Sequence, residues 1–154
     1  MSVPDKVYLS IPSDTSTSAL GVTGEIREHI HATYGKQFYR VVKADGADIA
    51  SGITVKYSSG SSVLVVKCGA AQVNNGSIAG VTQNIIPDGS YGWVACGGSC
   101  GALAVAAVAA NVAVATHADG KIDDATVTEG TTIGICPSAI GAGAIGELRL
   151  WGMM

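Results

Sequence analysis

Apolar residues in this chain fall in short bursts broken by glycine, serine, asparagine and aspartate. Such bursts predict strands rather than long helices. Lys36 to Lys43 reads as one strand: Phe38, Val41 and Val42 carry its apolar character, and Arg40 and Lys43 face out. Asp45-Gly46 makes a turn, and Ile49 to Val55 leads into another strand. Ser58 to Ser62 is a polar turn around Gly60, followed by the near-continuous apolar run Val63 to Cys68. Asn74-Asn75-Gly76 is a hairpin-type turn. Tyr91, Trp93 and Val94 predict a strand, Gly97-Gly98-Ser99 a tight turn, and the chain from about Cys100 a second strand. Strands this poor in polar atoms must be covered on both faces.

Ala102 to Ala115 has two conflicting signals. Its alanines favour helix. Its valines do not: Leu103 and Val105 alternate, as do Val112 and Val114, and the phase breaks at Ala109-Ala110-Asn111. That pattern predicts two short strands joined by an alanine-rich turn. Asp119-Gly120 makes a further turn, Lys121 to Thr128 is a more polar edge or loop, and Ile133 to Cys136 and Glu147 to Trp151 are the last strands. Only Gly24 to Gly35 has helical spacing, with Ile26, Ile30 and Tyr34 four apart. It is either a short helix or the first arm of a hairpin.

A gapless shift of 54 residues superposes two stretches. Gly80-Val81 falls on Gly134-Ile135, Ile86 on Ile140, Gly89 on Gly143, Gly92 on Gly146 and Val94 on Leu148. Three matched glycines suggest two similar turns and a shared strand-turn-strand unit, suited to a closed or stacked sheet.

Composition changes the picture in one respect. Charged residues make up 14% of the 154, and the 47% apolar content is largely alanine and valine. A surface so lightly charged suits a chain partly covered by other chains. Net charge of −3 and the lack of a basic cluster argue against nucleic-acid binding. The N-terminus lacks the apolar core of a signal peptide, and Ala102 to Ala115 is too short to span a membrane, so neither secretion nor a membrane partner is expected. Cys68, Cys96, Cys100 and Cys136 offer only one C-x3-C pair, so buried reduced thiols are expected rather than a zinc site or disulfides.

Residues 1–24 read as an extended arm, and 25–154 as a single β domain. Pro4 and Pro12 prevent a long regular element in the arm, while Val7, Tyr8, Leu9 and Ile11 are too apolar for a plain linker. Those four are the expected contacts with a neighbouring chain. Trp93, Val94, Leu148 and Leu150 are the expected core, and Trp151 is read as buried too. His29 and His31 form an H-x-H pair that can bind metal on a strand, but with no third ligand nearby they are read as solvent-facing. Asp123-Asp124 is read as a pair of solvated loop acids. No G-x-S-x-G, H-E-x-x-H or P-loop pattern occurs, so no catalytic residue, metal or cofactor is assigned.

In order along the chain, Lys36 to Ala44, Ile49-Ala50-Ser51-Gly52 with Gly80-Val81, and Tyr91-Gly92-Trp93-Val94 through Cys100-Gly101-Ala102-Leu103 together resemble small capsid decoration (cement) proteins of tailed bacteriophages. The Ala109-Ala110-Asn111 and Gly120 turns, Gly134-Ile135 and Leu148-Arg149-Leu150 follow in the same order, so the resemblance spans about residues 36 to 151. It implies a mainly β, non-enzymatic fold: a small antiparallel barrel or sandwich with at most one short helix. It also implies a homotrimer on the outer surface of a virion, made in the host cytoplasm, that clamps neighbouring major capsid subunits. The alternative from another class is a glycan- or cell-surface-binding β module of a phage fibre or adhesin.

Overall fold

The computed structural model describes residues 15–17, 25–69, 77–125 and 130–151. They form a mainly β, mostly antiparallel fold. The strands are β1 (Thr15–Ser16), β2 (Ile26–His31), β3 (Gly35–Ala44), β4 (Thr54–Tyr57), β5 (Leu64–Lys67), β6 (Ile78–Thr82), β7 (Tyr91–Leu103), β8 (Val112–Thr116), β9 (Ile122–Asp124), β10 (Thr132–Cys136) and β11 (Ile145–Leu150). The described part of the Gly24–Gly35 segment is the arm of a hairpin and not a helix: β2 pairs residue by residue with β3, from Ile26 opposite Arg40 to His31 opposite Gly35. The alanine-rich run is not a helix: it holds the last two residues of β7, to Leu103, and β8 from Val112. Residues 104–111 between them make only isolated bridges at Ala104 and Val108, and Val105 lies in a bend rather than in the first strand its alternation with Leu103 predicts.

The strand pairings close into two rings. In the first, β3 pairs β7, β7 pairs β6, β6 pairs β4, β4 pairs β5, and β5 returns to β3 through one parallel contact at Lys43–Leu64 and Ala44–Val65. In the second, β7 pairs β11, β11 pairs β10, β10 pairs β8 and β8 pairs β9. There β9 returns to the end of β7 through a parallel bridge between Ala104 and Ile122. The two small barrels therefore have one topology and share one strand. β7 is 13 residues long because its first half closes one barrel and its second half opens the next.

The 54-residue match is structural. Val81 lies opposite Ala95, and Ile135 lies opposite Arg149, each the counterpart of the other pair. Ile86 exchanges two backbone hydrogen bonds with Ile49, and Ile140 does the same with Val108. Ser90 donates its N–H to Pro87 O at 3.0 Å, and Ala144 to Gly141 O at 3.1 Å. The turns they close hold Gly89 at φ 71° and Gly143 at φ 70°, a conformation that favours glycine. A Cβ on Gly92 would sit 2.7 Å from Ile86 Cδ1, and one on Gly146 2.4 Å from Ile140 Cγ1. Each glycine thus lets an isoleucine lie flat against its strand.

The cores correspond as well. Val42, Ala44, Ile49, Val55, Val65, Ala79, Ile86 and Val94 fill the first barrel. In the same places the second has Ala102, Ala104, Val108, Val114, Ile122, Ile133, Ile140 and Leu148. Volume lost at Ala102 and Val108 is regained at Ile122, Ile133 and Leu148, the kind of compensation close-packed cores require.

Three expectations need correction. Gly97-Gly98-Ser99 is no turn: β7 runs through it, with a register shift between its pairings at Gly97–Phe38 and Ala95–Tyr39. A Cβ on Gly98 would lie 2.2 Å from Lys36 O, so close strand approach accounts for that glycine. Asp123 and Asp124 lie on β9 and are half-buried, rather than in a solvated loop. Trp151, just past β11, is 50% exposed.

Candidate functional site

Two features stand out on this frame: an open, partly apolar face on the second barrel and a cleft where the barrels meet.

The open face follows from the repeat. Outside the first barrel, Val81 (0% exposed), Trp93 (3%) and Ala95 (0%) are sealed. The Arg27 guanidinium lies 5.7 Å from the centre of the Trp93 ring, and Thr15 and Ser16 pair alongside Gly92 and Tyr91. The matching positions of the second barrel are Ile135 (38% exposed), half-buried Glu147 and exposed Arg149. Ile145 and Trp151 continue this exposed, partly apolar face.

The cleft has a volume of about 530 Å³ and is lined by His29, His31, Thr33, Tyr34, Tyr39, Ser51, Gln83, Asn84, Gly101 and Ile145. β2 brings the two histidines, the β2–β3 turn brings Thr33 and Tyr34, and β3 brings Tyr39. Ser51 and the Gln83-Asn84 pair come from loops of the first barrel. Gly101 in the second half of β7 is the floor, and Ile145 is the far rim. Glycine keeps the floor open: a Cβ there would come 3.1 Å from Tyr34 Oη and 3.0 Å from Ile145 Cγ2, so both side chains would have to shift by a few tenths of an ångström.

The walls are held by hydrogen bonds. His31 Nδ1 accepts the backbone N–H of Thr33 at 3.0 Å and of Tyr34 at 3.2 Å, which fixes both the ring and the tight turn. An imidazole that accepts at Nδ1 carries its proton on Nε2. The Tyr34 ring stacks on His31 with centroids 4.9 Å apart and planes 25° from parallel. Gln83 reaches across to β7, where its Oε1 accepts Gly101 N–H at 2.9 Å and its Nε2 donates to Gly101 O at 3.0 Å. Ser51 Oγ donates to Gln83 O at 2.9 Å. At the back, Tyr39 Oη donates to Gln37 Oε1 at 2.6 Å, and Gln37 Nε2 donates to Ser99 O at 2.8 Å. Burial pushes the Tyr39 phenol well above its ordinary pKa and that of Tyr34 upward, the latter helped by the nearby negative forms of Cys100 and Glu147. Both phenols are therefore neutral donors and acceptors.

Of the residues singled out in the sequence, His29 and His31 are brought together here, beside Tyr34. Among the described residues, no group of three or more His, Cys, Asp or Glu can hold a metal ion. Trp93, Val94, Leu148 and Leu150 are all buried, with Val94 and Leu148 at equivalent places inside the two barrels. Val7, Tyr8, Leu9 and Ile11 lie outside the described residues. The four cysteines are buried and unpaired; burial pushes the Cys68 thiol up to about 12 and the Cys136 thiol to about 11, so these two are protonated and inert near neutral pH. Gln83, Asn84 and Gly101 carried no functional signal in the sequence. The amide pair Gln83-Asn84 does interrupt an apolar stretch, between Val81 and Ile85.

No protein-family model and no curated protein matches the chain. Among solved structures it is similar to the crystal structure of the N base of head fiber gp8.5 in bacteriophage phi29, with a TM-score of 0.54 at 15% identity. The match covers 73% of this chain and 92% of that one. At that identity the likeness is one of fold.

Proposed function

We propose that this chain is a non-enzymatic structural protein of a bacteriophage head, bound to the outer surface of the shell, where it clamps neighbouring major capsid subunits. The observation that carries this reading is the fold likeness to a phage head fiber base, which extends over most of both chains. The surface fits the role. Ile135, Ile145 and Trp151 leave apolar area on one side of a stiff double barrel, and large interface contacts are built from aliphatic and aromatic anchors of that kind. Few charges permit close packing against other chains. Association as a homotrimer at a symmetry axis would multiply weak contacts by avidity. The apolar arm residues Val7, Tyr8, Leu9 and Ile11 then serve as contacts with a neighbouring chain.

The test is co-sedimentation of the purified protein with heads of the source virion that lack it, followed by cryo-electron microscopy. Saturable binding and ordered density on the outer surface are expected, and sedimentation of the free protein should show a trimer. Removing residues 1–14 should weaken head binding at least about tenfold, roughly 1.4 kcal/mol. Heads that leave all the protein in the supernatant would overturn the reading.

A further inference from the structure

We infer that the cleft at the barrel junction is a binding site for a neutral oligosaccharide. This goes beyond attachment to a head, which requires no small-molecule site.

Three properties of the cleft point to that ligand class. First, none of its ten lining residues is Lys, Arg, Asp or Glu. A phosphate, a nucleic acid or an acidic sugar would find no lysine or arginine there. Second, its polar groups are mixed donors and acceptors spread around a flat aromatic surface. His31 presents Nε2–H and Tyr34 a phenol that stays neutral, with Asn84 and Thr33 beside them. A pyranose has the complementary form, with hydroxyls at its rim and a C–H face that lies on a ring such as Tyr34, itself backed by His31. Third, the site is preformed. The turn carrying Tyr34 is tied to His31, the wall carrying Asn84 is tied to β7 through Gln83, and the floor has no side chain because position 101 is glycine. Rigid walls lower the entropic cost of binding a hydrated, flexible ligand.

The same contacts argue against a peptide added as a strand. The main-chain N–H and C=O of Gly101 are both occupied by the Gln83 amide, so the floor offers no free strand edge. A volume of about 530 Å³ lies in the range of small-ligand sites and accommodates a short oligosaccharide rather than one small metabolite.

The experiment is an array of neutral and acidic glycans probed with full-length protein multimerised on a labelled carrier, so that weak sites register through avidity. The best glycan is then titrated by NMR against the wild-type protein. A neutral glycan should bind, and the shifted resonances should include His29, His31 and Asn84. Tyr34→Ala should weaken binding at least about tenfold, and Tyr34→Phe, which keeps the ring and loses only the hydroxyl's hydrogen bond, by less than Tyr34→Ala. Gly101→Ala should also weaken binding by filling the floor. Dispersed NMR spectra and unchanged thermal midpoints identify the variants that are folded. Should no glycan bind, should only acidic glycans bind, or should folded Tyr34→Ala bind as tightly as wild type, the inference is wrong. None of these outcomes bears on head binding, which co-sedimentation reads separately.

Discussion

The two barrels differ less in how they are built than in what is laid over them. Inside, their pairings and core positions match. Outside, the first is sealed at Val81, Trp93 and Ala95, and the second is open at Ile135 and Arg149. The covering elements known for the first barrel, β1 and β2, stand outside the repeat. A duplicated frame can thus hold one copy for stability and leave the other copy's surface available. What separates the two is a small set of side chains: tryptophan against glutamate at 93 and 147, and alanine against arginine at 95 and 149.

The comparison breaks most visibly at Gly80 and Gly134. A Cβ at Gly80 would lie 2.2 Å from Ala95 O and one at Gly134 2.1 Å from Arg149 O, both rigid backbone atoms. Valine at either site should remove more than about 4 kcal/mol, a large part of the roughly 5–15 kcal/mol that holds a domain folded. Because β7 belongs to both rings, Gly134→Val should unfold the first barrel too. An NMR spectrum in which that variant keeps dispersed resonances from the first barrel alone would show the barrels to be independent. Next in size is the contrast between Trp93 and Glu147. Trp93→Ala should cost about 3–5 kcal/mol in urea unfolding, and Glu147→Ala less than about 0.5 kcal/mol. Equal losses would mean that the outer faces are not differently covered. The smallest effect sharpens the likeness instead. Gly92→Ala and Gly146→Ala should each cost about 1–3 kcal/mol, and each should be close to neutral once Ile86 or Ile140, respectively, is alanine. Coupling energies differing by more than about 1 kcal/mol between the two cycles would show that the two glycine–isoleucine contacts are not equivalent.

The later half of each barrel was readable in the sequence for a physical reason. Gly80, Gly89 and Gly92 and their counterparts meet backbone or isoleucine at close range or need positive φ, so no other residue fits and the spacing persists. The earlier halves stayed hidden. β3 to β6 and β7 to β10 are joined by loops of different length, so one gapless shift cannot align β4 with β8, and core alanine, valine and isoleucine exchange places. The glycines at 97 and 98 misled because a bulge and a turn draw on the same residue. Trp151 misled because an aromatic beside a strand signals burial only when something covers that face. The cleft was legible only in its histidine pair: its lining runs from His29 to Ile145, and only the closing of both rings brings those positions together.

The shared strand also determines how the molecule carries load. Barrels joined by a linker would separate by peeling, one contact after another. Here a pull between the two barrels runs along β7 itself. It meets the Gln37-to-Lys43 ladder on one half and the Ile145-to-Leu150 ladder on the other, both aligned with the strand. Those hydrogen bonds are loaded in shear, so several must give way together before the barrels part.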